Sequence, residues 1–254
     1  MHFLPLIGYK GFVSYQKVLQ RAVDDFNSLQ DGGVDAIIVE NNYNFPHRIK
    51  ETPEVIEMIR KLIKELKKIS SVPIGISVLF NDFENALKIA KESGAEFIRV
   101  PVFVDNVKTI FGEIKGNPDK VIEFRKKIEA ENIKILTDIQ VKHSKLINKR
   151  PIREAALEAR EKGSNGLIIT GTVTGEAPLI KDLQEVKAIS GDIPVIIGSG
   201  ADKTNIKRLF KFADAVIVST SLKEGEKDKN ERNAKSYNAK MDLSKVRSFV
   251  GGVK

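Results

Sequence analysis

Polar residues with catalytic side-chain types gather at the end of an apolar run in the middle of the chain. The stretch LTDIQVKH (136–143) places Asp138, Gln140 and Lys142 at alternate positions, and His143 follows directly. Alternate positions of a β-strand share one face, and burying charge is costly unless the charge is paired or used. A carboxylate beside a lysine can act as a base, and the lysine can bind an anion or, if desolvated, form a Schiff base. We interpret this face as the polar end of a buried strand rather than as a surface strand.

The elements that must position these residues alternate along the chain. Short apolar runs rich in Ile and Val are each followed by an amphipathic stretch. We predict strands over 2–8, 36–40, 74–79, 97–102, 133–139, 166–170, 194–198 and 215–219. We predict helices over 14–30, 53–69, 82–93, 118–131, 152–162, 179–189, 203–212 and 243–250. In the second helix, Thr52 is the predicted cap and Pro53 the first helical residue.

This alternation predicts the fold. Strands that are apolar on both faces and alternate with helices are typical of a parallel sheet covered on both sides. Eight such units in 254 residues predict a closed α/β (β/α)8 TIM barrel that spans 1–254 as a single domain. A doubly wound open sheet is the alternative. Two segments can cover a site: 101–117 is a long connection, and the charged segment 224–241 is predicted to be a flexible loop before the last helix.

The composition excludes several classes of function. There is no Cys, so a disulfide framework, a thiolate zinc site and a cysteine nucleophile are all excluded. Lys and Arg (42) exceed Asp and Glu (34), but both signs are mixed along the chain and there is no Trp, so we predict no nucleic-acid partner. No apolar run approaches the roughly 18 residues of a membrane span, and no secretory signal opens the chain. We therefore expect a cytoplasmic protein without a membrane span.

The polar residues fall at the predicted carboxyl ends of the strands, where barrel active sites lie. Arg99 interrupts the fourth strand, and in the lumen it can pair with Glu40 and Asp138, either as a structural ion pair or as part of a site. Asp138 is the predicted base, and Glu40 and His143 are the predicted proton-transfer residues. Lys142 and Arg99 are predicted to balance developing negative charge.

The residue types at this rim fit two other roles, helix capping and metal binding. Asp82 either caps the third helix or belongs to the site. Glu40, Asp138 and His143 have the side-chain types of a hard-metal site, but no HxH or HExxH spacing supports one, so we predict no metal ligands. The sequence identifies no cofactor.

A phosphate site is predicted at the last two strand ends. Gly198, Ser199 and Gly200 lead into a helix, and Thr220 and Ser221 follow the next strand. Small residues free backbone N–H groups to surround an anion, and the loops after strands seven and eight are the usual phosphate site of these barrels. The alternative is that these turns only connect strands to helices. Gly171, after the sixth strand, completes the predicted phosphate-binding set.

A connected set of motifs resembles the BtpA/SgcQ-like proteins. The set runs nearly from end to end and comprises HFLPLIG, GGVDAIIVEN (32–41), PIGISVLFND (73–82), GAEFIRV (94–100), DIQVKH (138–143), GLIITGTVTG (166–175), PVIIGSG (194–200), ADAVIVSTSLK (213–223) and MDLSKVRSFV. The resemblance implies a TIM barrel of the phosphate-binding type. Members of the family are linked to photosystem I accumulation in cyanobacteria, and others sit among sugar-metabolism proteins with a nucleosidase or nucleoside-triphosphatase label.

The sequence departs from this family at two acidic positions. Relatives tend to have ENFGDxPF where this chain has ENNYNFPH (40–47), so that Asn44 stands at an acidic position. They tend to have TDxG where this chain has TIFG (109–112), so that Ile110 stands at the other. The loss of two carboxylates weakens any metal or acid–base role shared with those relatives and favours a changed substrate or no catalysis.

Together these observations predict a protein that binds a phosphorylated small molecule, either a sugar phosphate or a nucleotide-like compound. If it is an enzyme, the resemblance and the rim residues point to a lyase, isomerase or hydrolase. The alternative is a non-catalytic assembly or stability factor for a protein complex, for which an exposed apolar patch would be the distinguishing feature. The sequence does not determine the oligomeric state, and a homo-oligomer is one of the alternatives that stay open.

Overall fold

The strands and helices follow the predicted alternation closely. The structure is a computed structural model that describes residues 1–225 and 236–253. The helices are α1 (Tyr15–Asp31), α2 (Pro53–Ile69), α3 (Phe83–Ser93), α4 (Pro118–Lys127), α5 (Ile152–Glu161), α6 (Ile180–Lys187), α7 (Ile206–Leu209) and α8 (Leu243–Val253). The strands are β1 (Ile37–Glu40), β2 (Ile74–Ser77), β3 (Phe97–Val100), β4 (Val107–Thr109), β5 (Gly112–Ile114), β6 (Lys134–Ile139), β7 (Lys145–Leu146), β8 (Gly166–Ile169), β9 (Val195–Ile197) and β10 (Ala215–Val216).

Seven of the eight predicted strands form one curled parallel sheet. Its order is β1-β2-β3-β6-β8-β9-β10, so each strand lies beside the next one of the alternating pattern. The first predicted strand, 2–8, is reduced to a single parallel bridge between His2 and Glu40. The ladder stops there because Pro5 has no N–H and because Leu6 donates its N–H to Asn44 Oδ1 (3.0 Å). Within 1–225 and 236–253, strand pairing therefore ends at residue 2 on one side and at β10 on the other.

The helices pack their apolar stripes on the outside of this sheet, which makes the chain a TIM barrel. In α2, Thr52 accepts a hydrogen bond from Val55 N and Pro53 starts the helix, as predicted. The apolar stripe of this helix is buried: Leu62 is fully buried and Ile59 is 2% exposed. Two predicted helices are shorter than expected: α4 ends at Lys127, before a left-handed residue at Glu129, and α7 is only four residues long.

Glycines inside the barrel make room for large neighbours. Gly75 of β2 lies opposite Phe97 of β3, and a Cβ on Gly75 would be 1.9 Å from the Phe97 ring. In the same way, a Cβ on Gly166 would be 2.7 Å from a Leu136 methyl group. Close packing of this kind fills the lumen near Gly75 and Gly166.

A small second sheet lies in the loops that follow β3 and β6. Within the predicted long connection 101–117, β4 and β5 form an antiparallel hairpin, and β7 pairs with β4 on its other edge. A separate apolar cluster stabilises this sheet; it comprises Phe80, Val102, Val107, Ile114 and Val141, with Phe111 and Leu146 packed against it. Much of 101–117 is therefore folded, which differs from an irregular connection. The predicted loop 224–241 falls in large part outside the described residues.

Substitution at Gly75 tests the packing of the lumen. We expect Gly75→Ala to lower the free energy of unfolding by about 1–3 kcal/mol, because the new methyl group must displace the Phe97 ring in a filled interior. The measurement is chemical denaturation monitored by circular dichroism.

Gly251→Ala is the matched control for this substitution. No heavy atom lies within 4 Å of a Cβ at Gly251, which is in α8. The control should be neutral or stabilising by up to about 1 kcal/mol, because alanine favours a helix. Equal stability of the two variants would contradict a close-packed lumen.

Candidate functional site

The Arg99 guanidinium joins two buried carboxylates at the carboxyl ends of three strands. Its Nε and Nη2 donate to Asp138 Oδ1 and Oδ2, both at 2.7 Å, and its Nη1 donates to Glu40 Oε1 at 2.8 Å. Arg99 comes from β3, Glu40 from β1 and Asp138 from β6, so the contact crosses the lumen. The predicted lumen pairing of Arg99 with these two residues is therefore confirmed. We call these three residues the rim ion cluster.

In the rim ion cluster, burial and ion pairing shift the pKa values of Glu40 and Arg99 in opposite directions. Burial by itself would raise the pKa of the Glu40 carboxyl, but the Arg99 guanidinium and a hydrogen bond to His2 hold that pKa well below its usual range. Burial would likewise lower the pKa of Arg99, whereas Asp138 and Glu40 raise it above its ordinary value. Glu40 and Arg99 are therefore charged at neutral pH.

A buried lysine lies at the same end of the barrel. The Lys223 side chain is 1% exposed, its Nζ is 2.6 Å from the Tyr43 hydroxyl and 4.8 Å from the centre of the Tyr43 ring. The Tyr43 ring makes an edge contact with His2, whose Nε2 is 3.5 Å from Glu40 Oε2. Lys223 is the last residue of the motif ADAVIVSTSLK (213–223), and the structure connects it to Glu40 through these two rings.

Some buried polar atoms at this rim lack a hydrogen-bond partner among the described residues. Ser77 Oγ is one of them; Ser77 ends β2, is 1% exposed and lies in register with Glu40. Ser219 Oγ and Asn42 Nδ2 are two more, after β10 and β1. A buried polar atom without a partner costs free energy, so such atoms mark places where a ligand or water would be stabilising. The sequence signal for Ser77 was a polar residue in an otherwise apolar strand.

The prediction that Asp138, Gln140 and Lys142 share one face of a strand is wrong. Strand β6 ends at Ile139, and Gln140 adopts a left-handed conformation with a φ of 55°. The alternation is broken there, so Gln140 and Lys142 do not continue the strand face of Asp138. Gln140 instead donates to Arg150 O (2.9 Å). The physical reason is the tight turn into β7, which demands a positive φ that the period-2 pattern cannot reveal.

Lys142 and His143 lie in this turn beside the loop after β8. The Lys142 N–H donates to Thr170 Oγ1 at 3.2 Å. His143 donates its N–H to Thr172 O (3.1 Å), and its Nε2 is 2.8 Å from Thr174 Oγ1. Both residues are therefore at the predicted end of the barrel, where these bonds attach them to the loop after β8.

The predicted phosphate-binding turn after β9 is covered by the segment 171–177. Ser199 is 6% exposed; its hydroxyl donates to Glu176 O (2.7 Å) and accepts from Gly171 N (3.1 Å). A Cβ on Gly200 would be 2.1 Å from Ala177 N, which shows how closely the two backbones approach. The Ser199 hydroxyl of this turn is thus already engaged within the chain.

The remaining predicted phosphate ligands are also partly engaged. Gly198 donates its N–H to Ile169 O (2.8 Å) as part of the sheet. Thr220 and Ser221 lie in a short 3-10 helix, Thr220–Leu222, and the Ser221 hydroxyl donates to Ala201 O (3.0 Å). The structure brings the turns after β9 and β10 together, as the sequence predicts, with Ser221 reaching across to the first.

Glu51 ties the loops after β1 and β2 together through its carboxylate and its backbone N–H. Glu51 accepts hydrogen bonds from Tyr9, from Asn41 (2.8 Å) and from Asn44 (3.2 Å). Its N–H donates to Asp82 Oδ2 (3.0 Å), and Asp82 also caps α3, which confirms the capping interpretation of that residue. Asn44 therefore has a structural role here.

The other family departure, Ile110, lies away from the lumen. It is 79% exposed at the tip of the β4–β5 hairpin. A carboxylate at this position would face solvent in the conformation seen here. The substitution therefore changes the surface of the hairpin rather than the rim ion cluster.

The described ranges contain no group of three or more His, Cys, Asp and Glu side chains arranged to hold a metal ion. Of the three side chains weighed for this role, Glu40 and Asp138 both bind Arg99, and His143 contacts Thr174. A cation would therefore have to compete with a guanidinium for both carboxylates.

Four rings form a cluster at the edge of the rim. His47 lies 5.2 Å from Phe111, 6.3 Å from Phe45 and 6.4 Å from Phe80 between ring centres. Burial lowers the pKa of His47 to about 4, with Glu40 opposing and His143 reinforcing the shift, so His47 is neutral at pH 7. Its Nδ1 is buried and bonds to no described residue. We call Phe45, His47, Phe80 and Phe111 the rim ring cluster; sequence reasoning missed it because no spacing signals such long-range contacts.

The fold and this polar rim define a TIM-barrel protein with a candidate site at the carboxyl ends of its strands. The chain belongs to the BtpA family, whose model matches residues 1–252. None of the described helices is both long and apolar enough to cross a membrane.

Relatives match along most of their length. An uncharacterized protein of Pyrococcus abyssi is 38% identical over 233 residues, which cover 91% of this chain and 88% of that protein. The photosystem I biogenesis protein BtpA of Synechocystis is 35% identical over 226 residues, covering 88% of this chain and 78% of that protein. These similarities support the family resemblance of the sequence motifs.

Solved structures share the fold. N-(5'-phosphoribosyl)anthranilate isomerase from Pyrococcus furiosus has a TM-score of 0.55 at 18% identity, covering 92% of this chain and 94% of that chain. Tryptophan synthase from M. tuberculosis has a TM-score of 0.59 at 15% identity, covering 99% and 89%. At these identities the similarity establishes the TIM-barrel fold alone.

Removal of the Arg99 guanidinium from the rim ion cluster should destabilise the fold strongly. We expect Arg99→Met to lower the free energy of unfolding by about 3–5 kcal/mol, because two buried carboxylates lose their partner. Arg60→Met is the matched control: Arg60 also joins two carboxylates, Glu57 and Glu92, but both of these side chains are at least 44% exposed. Its loss should cost about 1 kcal/mol or less, measured by chemical denaturation.

The pH dependence of the free energy of unfolding tests the role of Arg99 in a second way. Without Arg99, burial raises the pKa of Glu40 above that of the unfolded chain, so the folded variant takes up a proton and gains stability as the pH falls. The deficit of Arg99→Met should therefore narrow between pH 8 and about pH 5. A deficit that stays constant over this range would contradict an uncompensated carboxylate.

Proposed function

We propose that this protein binds a phosphorylated small molecule at the carboxyl end of the barrel and catalyses a proton-transfer reaction on it, as a lyase, isomerase or hydrolase. The observation that carries the proposal is the rim ion cluster. Three charged side chains, each 7% exposed or less, are gathered at the end of the barrel where TIM-barrel sites lie. Buried polar atoms without described partners, such as Ser77 Oγ, adjoin the cluster.

The residues of the cluster support different roles in this proposal. Asp138 has both oxygens bound to Arg99 and a fully buried side chain, so it serves to orient the guanidinium and becomes a base only if Arg99 moves. Glu40 uses one oxygen for Arg99 and lies near His2 with the other, which makes it the better placed proton-transfer group. Arg99 supplies positive charge for an oxyanion that develops on the substrate. His143 and Lys142 stay candidates at the mouth.

Phosphate binding is proposed at the turns after β9 and β10. Gly198, Ser199 and Gly200, with Gly171, Thr220 and Ser221, are the proposed ligands. Because Ala177 N closely approaches Gly200 and Glu176 O accepts from Ser199, phosphate can enter only after the segment 171–177 moves. Such loop movement on ligand binding is common at barrel rims.

A ligand panel tests phosphate recognition. Thermal unfolding is followed with ribose 5-phosphate, other sugar phosphates and nucleotides, each beside its unphosphorylated counterpart and inorganic phosphate. A ligand present at one hundred times its dissociation constant stabilises the fold by about 2.7 kcal/mol, which raises the unfolding temperature measurably. We expect at least one phosphorylated compound to raise it and its unphosphorylated counterpart to have no effect.

Two serine variants localise the effect. Ser199→Asp introduces negative charge at the proposed phosphate site and should abolish the shift relative to the unliganded variant. Ser71→Asp adds the same charge before β2, at the opposite end of the barrel, and should keep the shift. No shift with any phosphorylated compound, or an equal shift in both variants, would rule the proposed site out.

The second candidate function is that of a non-catalytic assembly factor. The observation in its favour is exposed apolar surface on the small second sheet: Ile110 at the hairpin tip is 79% exposed, and Ile147, directly after β7, is 44% exposed. The Ile147 N–H donates to Asn106 O (2.9 Å), so the two isoleucines belong to one folded unit. The name of the Synechocystis relative, a photosystem I biogenesis protein, is consistent with this alternative.

Two variants separate an enzyme from an assembly factor. Asp138→Asn should abolish turnover of any substrate identified by the panel and leave partner association unchanged. Ile110→Asp should abolish association with a partner that co-purifies from the source cells and leave ligand binding unchanged. Co-purification that survives Ile110→Asp would contradict docking through the hairpin.

A further inference from the structure

The rim ring cluster combines apolar faces with one polar atom that has no described partner. His47 is 9% exposed and is surrounded by the rings of Phe45, Phe80 and Phe111. A structural histidine in such a place would normally satisfy its ring nitrogen with a backbone or side-chain group. Nδ1 of His47 is instead buried and makes no hydrogen bond within the described part of the chain.

Phe45 is the outward member of the cluster. It is 58% exposed, although it contacts Phe111 at 5.8 Å and His47 at 6.3 Å between ring centres. An exposed phenyl ring can rotate, or accept a flat ring on its free face, without uncovering a packed core. Phe80 is 7% exposed and forms the fixed wall behind His47.

The cluster adjoins the proposed site. His47 is close enough to both Glu40 and His143 for their charges to act on it. Phe80 lies in the loop after β2, and its N–H donates to Arg48 O (2.8 Å), which holds the β1 loop with His47 over the β2 loop. A ligand whose one end reaches the rim ion cluster can therefore place its other end against these rings.

We propose that the rim ring cluster binds a planar heteroaromatic ring of the ligand, stacked on the exposed face of Phe45 and hydrogen-bonded through a polar ring edge to His47 Nδ1. The inference rests on the proposed function and narrows its substrate class from phosphorylated small molecules in general to those that carry such a ring. Stacking supplies affinity for any flat ring, and the single nitrogen selects rings with a polar edge.

The test compares three phosphorylated probes by isothermal titration calorimetry. Ribose 5-phosphate has no aromatic ring, phenyl phosphate has a ring without a polar edge, and adenosine 5'-monophosphate has both. We expect adenosine 5'-monophosphate to bind at least about tenfold more tightly than ribose 5-phosphate, from stacking and one hydrogen bond.

Two variants of the rim ring cluster separate the contribution of stacking from that of the hydrogen bond. Phe45→Ala should reduce the preference for adenosine 5'-monophosphate over ribose 5-phosphate by about fivefold or more, because it removes the stacking surface. His47→Phe keeps an aromatic ring but removes the nitrogen. It should therefore weaken the binding of adenosine 5'-monophosphate by about fivefold and leave the affinity for phenyl phosphate unchanged. Val13→Ala, at a residue that is 74% exposed outside the cluster, is the control and should change none of the three affinities.

The outcomes distinguish this inference from the proposed function. If ribose 5-phosphate binds and adenosine 5'-monophosphate binds no more tightly, the ring site is wrong and the phosphate site stands. If the preference exists but survives Phe45→Ala and His47→Phe, the ring binds elsewhere and the inference is overturned. If none of the three probes binds, phosphate recognition itself fails.

Discussion

The fork of hydrogen bonds from Arg99 is the interaction on which the site depends. A guanidinium has donors in a rigid plane, so it can bind one carboxylate through two bonds and still reach a second. In this barrel, Asp138 takes the two bonds and Glu40 takes the third. Because the three residues come from β1, β3 and β6, their pairing fixes the spacing of strands that are not all adjacent. The carboxyl end of the barrel is thereby held in one arrangement, which is the condition for positioning a substrate.

Much of the fold and part of the site could be predicted from the sequence, since both depend on local periodicity. Local sequence patterns predict the apolar stripe of α2, its cap at Thr52 and the apolar runs of the seven parallel strands. The contact of Arg99 with Glu40 and Asp138 followed from one further rule, that charged residues in barrel strands need partners in the lumen. The first strand was overpredicted because its apolar residues conceal the effect of Pro5 and of the Leu6 bond to Asn44.

What could not be predicted depends on contacts between distant residues. The turn at Gln140 ends the strand by a positive φ that no residue type there announces. Ser199 was predicted to face a ligand, whereas its hydroxyl holds the backbone of Glu176. The burial of Lys223 and of His47 depends on rings that arrive from elsewhere in the chain. Side chains of this kind are placed by tertiary packing, for which a single sequence contains no periodic signal.

The small second sheet makes one part of the molecule unsuitable for loop engineering. Its three strands are contributed by the loops after β3 and β6, the two strands that carry Arg99 and Asp138. Loops of TIM barrels are ordinarily exchangeable modules, since each is attached to its own strand and helix. Here a graft that shortened the hairpin 107–114 would also remove the pairing partner of β7 and alter the route of the chain after Asp138. The two loops would have to be replaced together, as one cassette, while the loops after β9 and β10 present no such coupling through this sheet.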